Sequence, residues 1–97
     1  MTVTNPYDNS IVTDSVEIAG AEDIDLAVES ATAALKTGPW GTFTGAQRSA
    51  CMLKFADLVE KSAEDLAYLE SISMGSPIAT LLGMDIPHMA NCYRCKK

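Results

Sequence analysis

The segment Thr44–Glu60, TGAQRSACMLKFADLVE, decides how this chain folds. Thr44 and Gln47 stand at the spacing of a capping box, which predicts the start of a helix at this point. The apolar residues that follow recur at helical spacing and are Met52, Leu53, Ala56 and Val59. One face of the predicted helix should therefore pack against other parts of the chain.

The segment that precedes this helix predicts two strands and another helix. Residues 2–18 are rich in β-branched side chains around the turn-forming stretch Asn5–Ser10, which indicates a hairpin or two linked strands. From about Glu22 the apolar residues change to helical spacing, with acidic residues in the first turn, where the helix dipole favours them. These apolar positions are Ile24, Val28, Ala31 and Leu35. Gly38 before Pro39 predicts a left-handed cap that ends the helix.

Two more helices are predicted towards the C-terminus. Ser62 and Asp65 repeat the capping-box spacing, and Gly75 with Pro77 ends the helix that they begin. The apolar positions of this helix are Leu66, Leu69 and Ile72. Asp85 is predicted to start a last helix, whose apolar face is Ile86, Met89, Ala90 and Tyr93. A short β-strand pair followed by about four helices leaves broad apolar faces uncovered, so this order predicts one piece of a larger domain.

Composition narrows the classes of function and of partner. The chain has 97 residues, which is one small domain at most, and its formal net charge of −6 disfavours a nucleic-acid partner. The first residues show no basic and apolar pattern of a secretory signal, and no apolar stretch is long enough to span a bilayer. Three cysteines are an odd number, which is typical of reduced thiols in the cytosol. We therefore expect a cytoplasmic protein without a membrane segment.

Five sequence motifs resemble the start of the aldehyde dehydrogenase superfamily from about Thr2 to Arg94. They are the asparagine–proline strand pair from Asn5-Pro6 to Val16, the acidic and alanine-rich helix start Ala21–Val28, the Pro39-Trp40 step with Arg48 after it, the run Ala56–Glu60, and Leu69-Glu70 leading to Gly75 and Pro77. The resemblance implies that residues 1–94 are an incomplete N-terminal part of an aldehyde dehydrogenase domain, with the α/β fold of that family.

The same resemblance implies an oxidoreductase that oxidises an aldehyde to a carboxylate and passes hydride to NAD or NADP, usually as a homo-oligomer. In this family the nucleophilic cysteine, the general-base glutamate and the glycine-rich cofactor segment all lie beyond this stretch. We therefore expect no catalytic, cofactor-binding or metal-binding residue in this chain, and no activity from it. In family members this N-terminal part packs on the cofactor-binding domain. The alternative hypothesis is a stand-alone helical module that binds a partner protein through its apolar faces.

Two departures from the family pattern have consequences. Ser73 stands where the family usually has an aspartate, which in some relatives holds a monovalent cation with two backbone carbonyls that would correspond to Val3 and Thr4. Serine lacks the charge that a hard cation prefers, so we expect no such site. After Arg94 the agreement stops, and residues 95–97 are expected to be an aberrant tail, of the kind that a frameshift, a retained intron or a mispredicted exon end produces.

The cysteines suggest two chemical sites, each with a simpler explanation. Cys51 could be a nucleophile, but it takes the place of an apolar helix residue, and we expect a buried structural thiol. His88, Cys92 and Cys95 would share one helical face and suit zinc. A closed zinc site needs a fourth ligand and supporting contacts that the sequence does not supply, so we expect this spacing to be accidental.

Acidic and aromatic side chains complete the set of candidates. The acidic pairs are Glu22-Asp23, Asp57-Glu60 and Glu64-Asp65, which we expect in first turns of helices or on solvent faces rather than as a general acid and base. The aromatic residues are Trp40, Phe43, Phe55 and Tyr68, which we expect to be packing anchors rather than a ligand-binding box.

Overall fold

The computed structural model describes residues 1–95, so Lys96 and Lys97, the end of the tail predicted to be aberrant, lie outside the described residues. The elements in chain order are β1 (Val3–Thr4), β2 (Ile11–Thr13), α1 (Ala21–Lys36), α2 (Pro39–Thr42), α3 (Gly45–Lys61), α4 (Ala63–Met74), α5 (Ile78–Thr80), a π-helical turn (Leu81–Asp85) and α6 (Ile86–Arg94). The predicted strand pair followed by four helices is confirmed, with α1, α3, α4 and α6 as the four, and α2 and α5 as additional short turns.

The two strands form an antiparallel hairpin, as the β-branched residues predict. The register pairs Val3 with Thr13, and an irregularity follows Val3. In the connecting turn, the amide N–H of Asn9 donates to the Asn5 carbonyl at 2.8 Å. Asn9 has a φ of 59°, a left-handed conformation that asparagine tolerates better than most residues. The turn-forming residues between the strands thus fold back the chain.

The capping box at the start of α3 is confirmed, whereas the one predicted at Ser62 and Asp65 is wrong. Thr44 Oγ1 accepts a hydrogen bond from the Gln47 N–H at 3.3 Å, and Gln47 Oε1 accepts the Thr44 N–H at 2.8 Å. Ser62 makes no side-chain cap bond. It ends α3 as it begins α4, with φ −97° and ψ 15°, and its N–H donates to the Leu58 carbonyl. A capping serine needs an extended backbone, which this shared position does not allow.

The left-handed cap predicted at Gly38 is also wrong, because Gly38 has an extended backbone with φ −85° and ψ 169°. Glycine is needed there for space, since an added Cβ would lie 2.8 Å from the Ala34 carbonyl oxygen. The left-handed glycine is Gly75, with a φ of 79° at the end of α4, where the sequence predicts that this helix stops. Both glycines end helices, by different means.

The last helix, α6, begins at Ile86, next to the start predicted at Asp85, but α5, the π-helical turn and α6 form one continuous helical segment. Asp85 has helical angles, φ −70° and ψ −46°, and makes no side-chain cap bond. The Ile86 N–H donates to the Leu81 carbonyl, five residues back, which widens the helix at this point. Pro87 follows directly, and a proline ring in a regular helix clashes with the carbonyl four residues earlier. The wider turn gives this ring room.

The buried core is small and lies between α3, α4, the π-helical turn and α6. Its members are Ala56, Val59, Ala67, Leu81, Ile86 and Ala90. The inward faces predicted for α3 and α6 are thus confirmed at their centres, while Leu53 and Met89 at their edges are 41% and 39% exposed. In contrast, α1 contains no buried residue. No helix within residues 1–95 has the length and apolar character needed to cross a membrane.

Gly75→Ala should destabilise the chain by about 1–2 kcal/mol, because alanine resists a positive φ. Its Cβ would also lie 2.8 Å from Pro6 Cγ. Gly83→Ala is the matched control, since a Cβ there meets nothing within 4 Å, and it should be neutral or stabilise by up to about 1 kcal/mol. Urea unfolding followed by circular dichroism measures both values. Equal unfolding free energies for the two variants would contradict this account of Gly75.

Candidate functional site

The best-connected polar group in the described residues joins α6 to α3. Asp57 and Glu60 stand one turn apart on α3, so that their carboxylates lie on the same side of the helix. Arg94, in the last turn of α6, donates to Asp57 Oδ1 at 2.8 Å and to both carboxylate oxygens of Glu60 at 2.5 and 2.8 Å. Such two-pronged contact is the geometry that a planar guanidinium makes with a carboxylate. We call this arrangement the Arg94 clamp.

The charges of the Arg94 clamp suit a structural role better than a role in proton transfer. The hydrogen bonds from Arg94 lower the pKa of Glu60, and the two carboxylates raise the pKa of Arg94. A carboxyl group held ionised in this way is a poor general acid at neutral pH. The Arg94 side chain is 29% exposed and that of Asp57 is 72% exposed, so solvent screens the attraction. The acidic pair is on a solvent face, as expected, but the sequence did not predict its partner, which lies 34 to 37 residues away.

The Arg94 clamp should make stability depend on pH in a defined window. Because the folded-state pKa of Glu60 is below its unfolded value, the contribution to stability is present above the unfolded pKa and is lost as the pH falls through the folded pKa. Arg94→Gln should therefore lower the urea midpoint of unfolding at pH 7. It should also make the midpoint of the variant decrease less than that of the wild type between pH 5 and 3. Both effects should be small, as is usual for a surface ion pair. Lys54→Gln, which makes no ion pair in residues 1–95, is the matched control. Parallel pH profiles for wild type and Arg94→Gln would argue against the clamp.

A second cluster connects α2 to α3. The rings of Trp40 and Phe43 lie 5.9 Å apart at an angle of 48°, and the Arg48 guanidinium carbon lies 6.0 Å from the centre of the Trp40 ring. The Arg48 Nε atom is buried and has no hydrogen-bond partner among the described residues. The guanidinium makes a cation–π contact with the Trp40 ring, which partly offsets its loss of hydration. The expected role of Trp40 and Phe43 as packing anchors is confirmed.

The other two aromatic candidates differ from each other. Phe55 of α3 packs edge-on against Tyr93 of α6, with ring centres 4.7 Å apart and an interplanar angle of 70°. This contact adds an aromatic pair to the α3–α6 interface. Tyr68 on α4 is 57% exposed, so the prediction that it is a packing anchor is wrong for this chain. Helical spacing alone did not show which side of α4 has a neighbour.

The three thiols are all free and exposed. The prediction of a buried Cys51 is therefore wrong. The core side of α3 is defined by Ala56 and Val59, and Cys51 lies about 140° around the helix from Ala56 and about 80° from Val59, to one side of the core. His88, Cys92 and Cys95 are exposed on α6 and at its end. Within residues 1–95 no three histidine, cysteine, aspartate or glutamate side chains form a group that could hold a metal ion.

All three cysteines should react with a thiol reagent such as DTNB in native buffer, because none is covered. Cys51→Ser should remove one equivalent from the native titration without changing the rate of the other two. The measurement is the thionitrobenzoate released by the native chain compared with that released in urea. A Cys51 thiol that reacts only after urea is added would show that α3 is covered on this side.

Ser73 is the residue that the resemblance matched to an aspartate. Its hydroxyl donates to the Leu69 carbonyl at 2.8 Å and lies 3.3 Å from the Glu70 carbonyl, both in its own helix α4. The strand β1 packs against this helix. Ser73 thus presents a neutral hydroxyl that is engaged within α4, in place of a free carboxylate.

The connection from β2 to α1 is the only strand-to-helix step in residues 1–95, and it does not suit a dinucleotide. A pyrophosphate is bound by free amide N–H groups at a helix start, usually with several glycines. Here the Gly20 N–H donates to Asp23 Oδ2 at 2.8 Å. Glu22 and Asp23 also place two carboxylates in the first turn, which would repel an anion. This connection therefore does not fit the pyrophosphate of NAD or NADP.

Two grooves flank α3 and α4. A polar groove of about 370 Å³ is lined by Glu60, Lys61, Ala63, Glu64, Asp65 and Leu82. An apolar groove of about 250 Å³ is lined by Phe55, Leu58, Val59, Ser62 and Leu66. Neither groove is lined by a histidine or a cysteine, so neither contains a thiol for covalent aldehyde chemistry.

Comparisons with known proteins agree on one family. The model of the aldehyde dehydrogenase family matches residues 1–96. The mitochondrial aldehyde dehydrogenase family 2 member B4 of Arabidopsis thaliana is 45% identical over 74 residues, which cover 76% of this chain and 14% of that protein. The NADP/NAD-dependent aldehyde dehydrogenase PuuC of Escherichia coli is 42% identical over 72 residues, covering 74% and 14%. A solved indole-3-acetaldehyde dehydrogenase superposes with a TM-score of 0.89 and 39% identity, covering 97% of this chain and 21% of that one.

This chain therefore belongs to the aldehyde dehydrogenase family and corresponds to its N-terminal part. It spans 14% of the length of each of the two curated relatives and 21% of the solved structure. The resemblance predicted from the sequence motifs is confirmed, and so is the fold class.

Proposed function

We propose that this chain is the N-terminal part of an NAD(P)-dependent aldehyde dehydrogenase and that it packs on the cofactor-binding domain. Within this proposal, residues 1–94 are the family part, and no residue of the chain is catalytic, binds the cofactor or holds a metal. The assembled enzyme oxidises an aldehyde to a carboxylate as a homo-oligomer. The use of either dinucleotide is supported by the name of PuuC. The cytoplasmic location is supported by three free thiols, which suit a reducing compartment.

The exposed apolar face of α1 is the observation that carries this proposal. Ile24, Val28 and Leu35 fall on one side of the helix and are 59%, 59% and 56% exposed. A soluble domain usually buries such a stripe, and an apolar surface left open marks a contact with another structure. The remaining part of an aldehyde dehydrogenase polypeptide is the structure that family membership supplies.

The chemistry of the family needs groups that this chain does not bring together. Covalent aldehyde oxidation requires an activated thiolate, a base for the hydrolytic step and a dinucleotide held against the intermediate. Cys51 is exposed on α3 and lines neither of the two grooves. The first turn of α1 carries the carboxylates of Glu22 and Asp23, which would repel a pyrophosphate. What this chain contributes is therefore packing surface, while the reacting groups come from the rest of the enzyme.

The isolated chain should produce no NADH or NADPH from a broad panel of aldehydes and should show no calorimetric heat of binding with either dinucleotide. The reason is that neither groove described above contains a cysteine, and the only strand-to-helix step in residues 1–95 leads into two carboxylates that would repel a pyrophosphate. Activity above the no-protein background that disappears in Cys51→Ala would show that this thiol is a nucleophile. Dinucleotide binding without activity would overturn the account of the β2–α1 connection.

The packing role is tested with PuuC from which the part matching this chain has been deleted. Co-expressed with this chain, the shortened PuuC should become soluble, co-purify with it and regain NAD(P)-dependent aldehyde oxidation, because the missing apolar contacts are restored. The shortened PuuC expressed alone is the control. A folded chain that never co-purifies with it would overturn the proposal and favour the stand-alone helical module.

A further inference from the structure

Helix α1 stands apart from the buried core. The six buried residues all lie in α3, α4, the π-helical turn and α6. In α1, which has 16 residues, no side chain is buried. Among the described residues, α2 is the only element against which α1 packs to a substantial extent. The structure thus contains one part that holds its own core and one long helix that lies outside it.

The tightest approaches to α1 lie at the C-terminal end of the helix. Gly38 lies so close to Ala34 that an added Cβ would be 2.8 Å from its carbonyl oxygen, and Gly41 leaves no room for a Cβ beside the Leu35 carbonyl. After this tight turn, Trp40 of α2 is held by Arg48 of α3. The last turn of α1 is therefore anchored, whereas Ile24 and Val28, in its first two turns, are each 59% exposed.

Local interactions alone give α1 little stability. Isolated helices of about 12–15 residues are marginal in water, and most helical stability in proteins comes from packing of the apolar face. The Gly20 N–H to Asp23 bond at 2.8 Å favours the helix start. Against this, Asp25 and Glu29 stand four residues apart and repel each other, and the apolar face is open to water.

We infer that α1 is a conditional helix: in this chain alone its first three turns are frayed, and they become ordered when the remaining part of an aldehyde dehydrogenase covers Ile24, Val28, Ala31 and Leu35. The core of α3, α4, the π-helical turn and α6 holds without this cover. The identity of the covering structure rests on the proposed function, whereas the fraying of α1 in the free chain does not.

The covering structure is argued from the extent of the family match. The solved indole-3-acetaldehyde dehydrogenase contains the equivalent of 97% of this chain, α1 included, in only 21% of its own length. The other four fifths of such a polypeptide are the nearest source of apolar surface for α1. A second copy of this chain is the competing occupant, and the experiment below separates the two.

Hydrogen exchange measured by mass spectrometry on the whole 97-residue chain tests the free state. Amides in residues 24–33 should exchange within about tenfold of the unstructured rate, whereas those in 55–61 and 88–93 should be slowed on the order of a hundredfold or more. Protection of α1 equal to that of α3 would overturn the inference, and so would fast exchange in all three segments. Protection of α1 that grows with the concentration of the chain alone would identify a second copy as the occupant and would also overturn it.

The same measurement on the complex with shortened PuuC tests the occupant. Exchange in residues 24–33 should slow on the order of a hundredfold in the complex, with little change in 88–93. A complex that forms while α1 remains unprotected would overturn this inference and leave the proposed function standing. No complex at all would overturn the proposed function and the occupant together, while the exchange of the free chain still decides whether α1 is frayed.

A matched pair of variants locates the contact on one side of α1. Val28→Asp should lower the affinity for shortened PuuC on the order of a hundredfold, because it puts a charge into the covered face. Leu26→Asp places the same charge about 200° around the helix from Ile24, on the other side, and should change affinity less than about threefold. Both variants should leave the exchange of residues 55–61 unchanged. Equal losses for the two, or no loss for Val28→Asp, would contradict the assignment of this face.

Discussion

The close packing of α6 on α3 is the contact on which the rest of this structure depends. Ala56 and Ala90 are both fully buried, and their small side chains let the two helices approach closely. Phe55 with Tyr93 extends the contact, and Arg94 closes the polar edge of it. The π-helical turn sets where α6 begins to run along α3, because it accommodates Pro87 and at the same time places Leu81 in the core. A proline within a helical segment and a leucine before it thus fix the geometry of the pair.

The features that follow from neighbours in sequence were predictable, and those that follow from neighbours in space were not. The capping box at Thr44 uses groups three residues apart, and it formed as predicted. Ser62 carries the same signal, yet it lies where two helices meet, and the shared backbone conformation prevents the cap. Gly38 illustrates a further limit, because its glycine serves a close approach to Ala34 and not a left-handed angle. A capping motif forms its hydrogen bonds only where the neighbouring element lets the backbone adopt the conformation that the cap requires.

The candidate sites show the same division more sharply. Asp57 and Glu60 were recognisable as an exposed acidic pair, but their pairing with Arg94 depends on the register of α6 along α3, which no local spacing encodes. Cys51 takes the place of an apolar family residue, which predicts burial, and it is exposed here. Tyr68, which was expected to be a packing anchor, is exposed as well, whereas the exposed apolar face of α1 is what the order of elements predicts for one piece of a larger domain. Sequence pattern identifies a side chain that is suited to burial, whereas actual burial needs a second surface, and in this chain several such surfaces are lacking within residues 1–95.

The composition of the core explains why the exposed apolar faces matter for the free energy of folding. Three of its six buried residues are alanines, Ala56, Ala67 and Ala90, and a methyl group removes little apolar area from water when it is buried. Ordering each residue of the chain costs conformational entropy whether or not its side chain is buried. Several larger apolar side chains are more than half exposed, namely Ile24, Val28, Leu35, Leu58 and Leu69. A substantial part of the hydrophobic free energy available to this sequence therefore depends on whether these outer faces are covered.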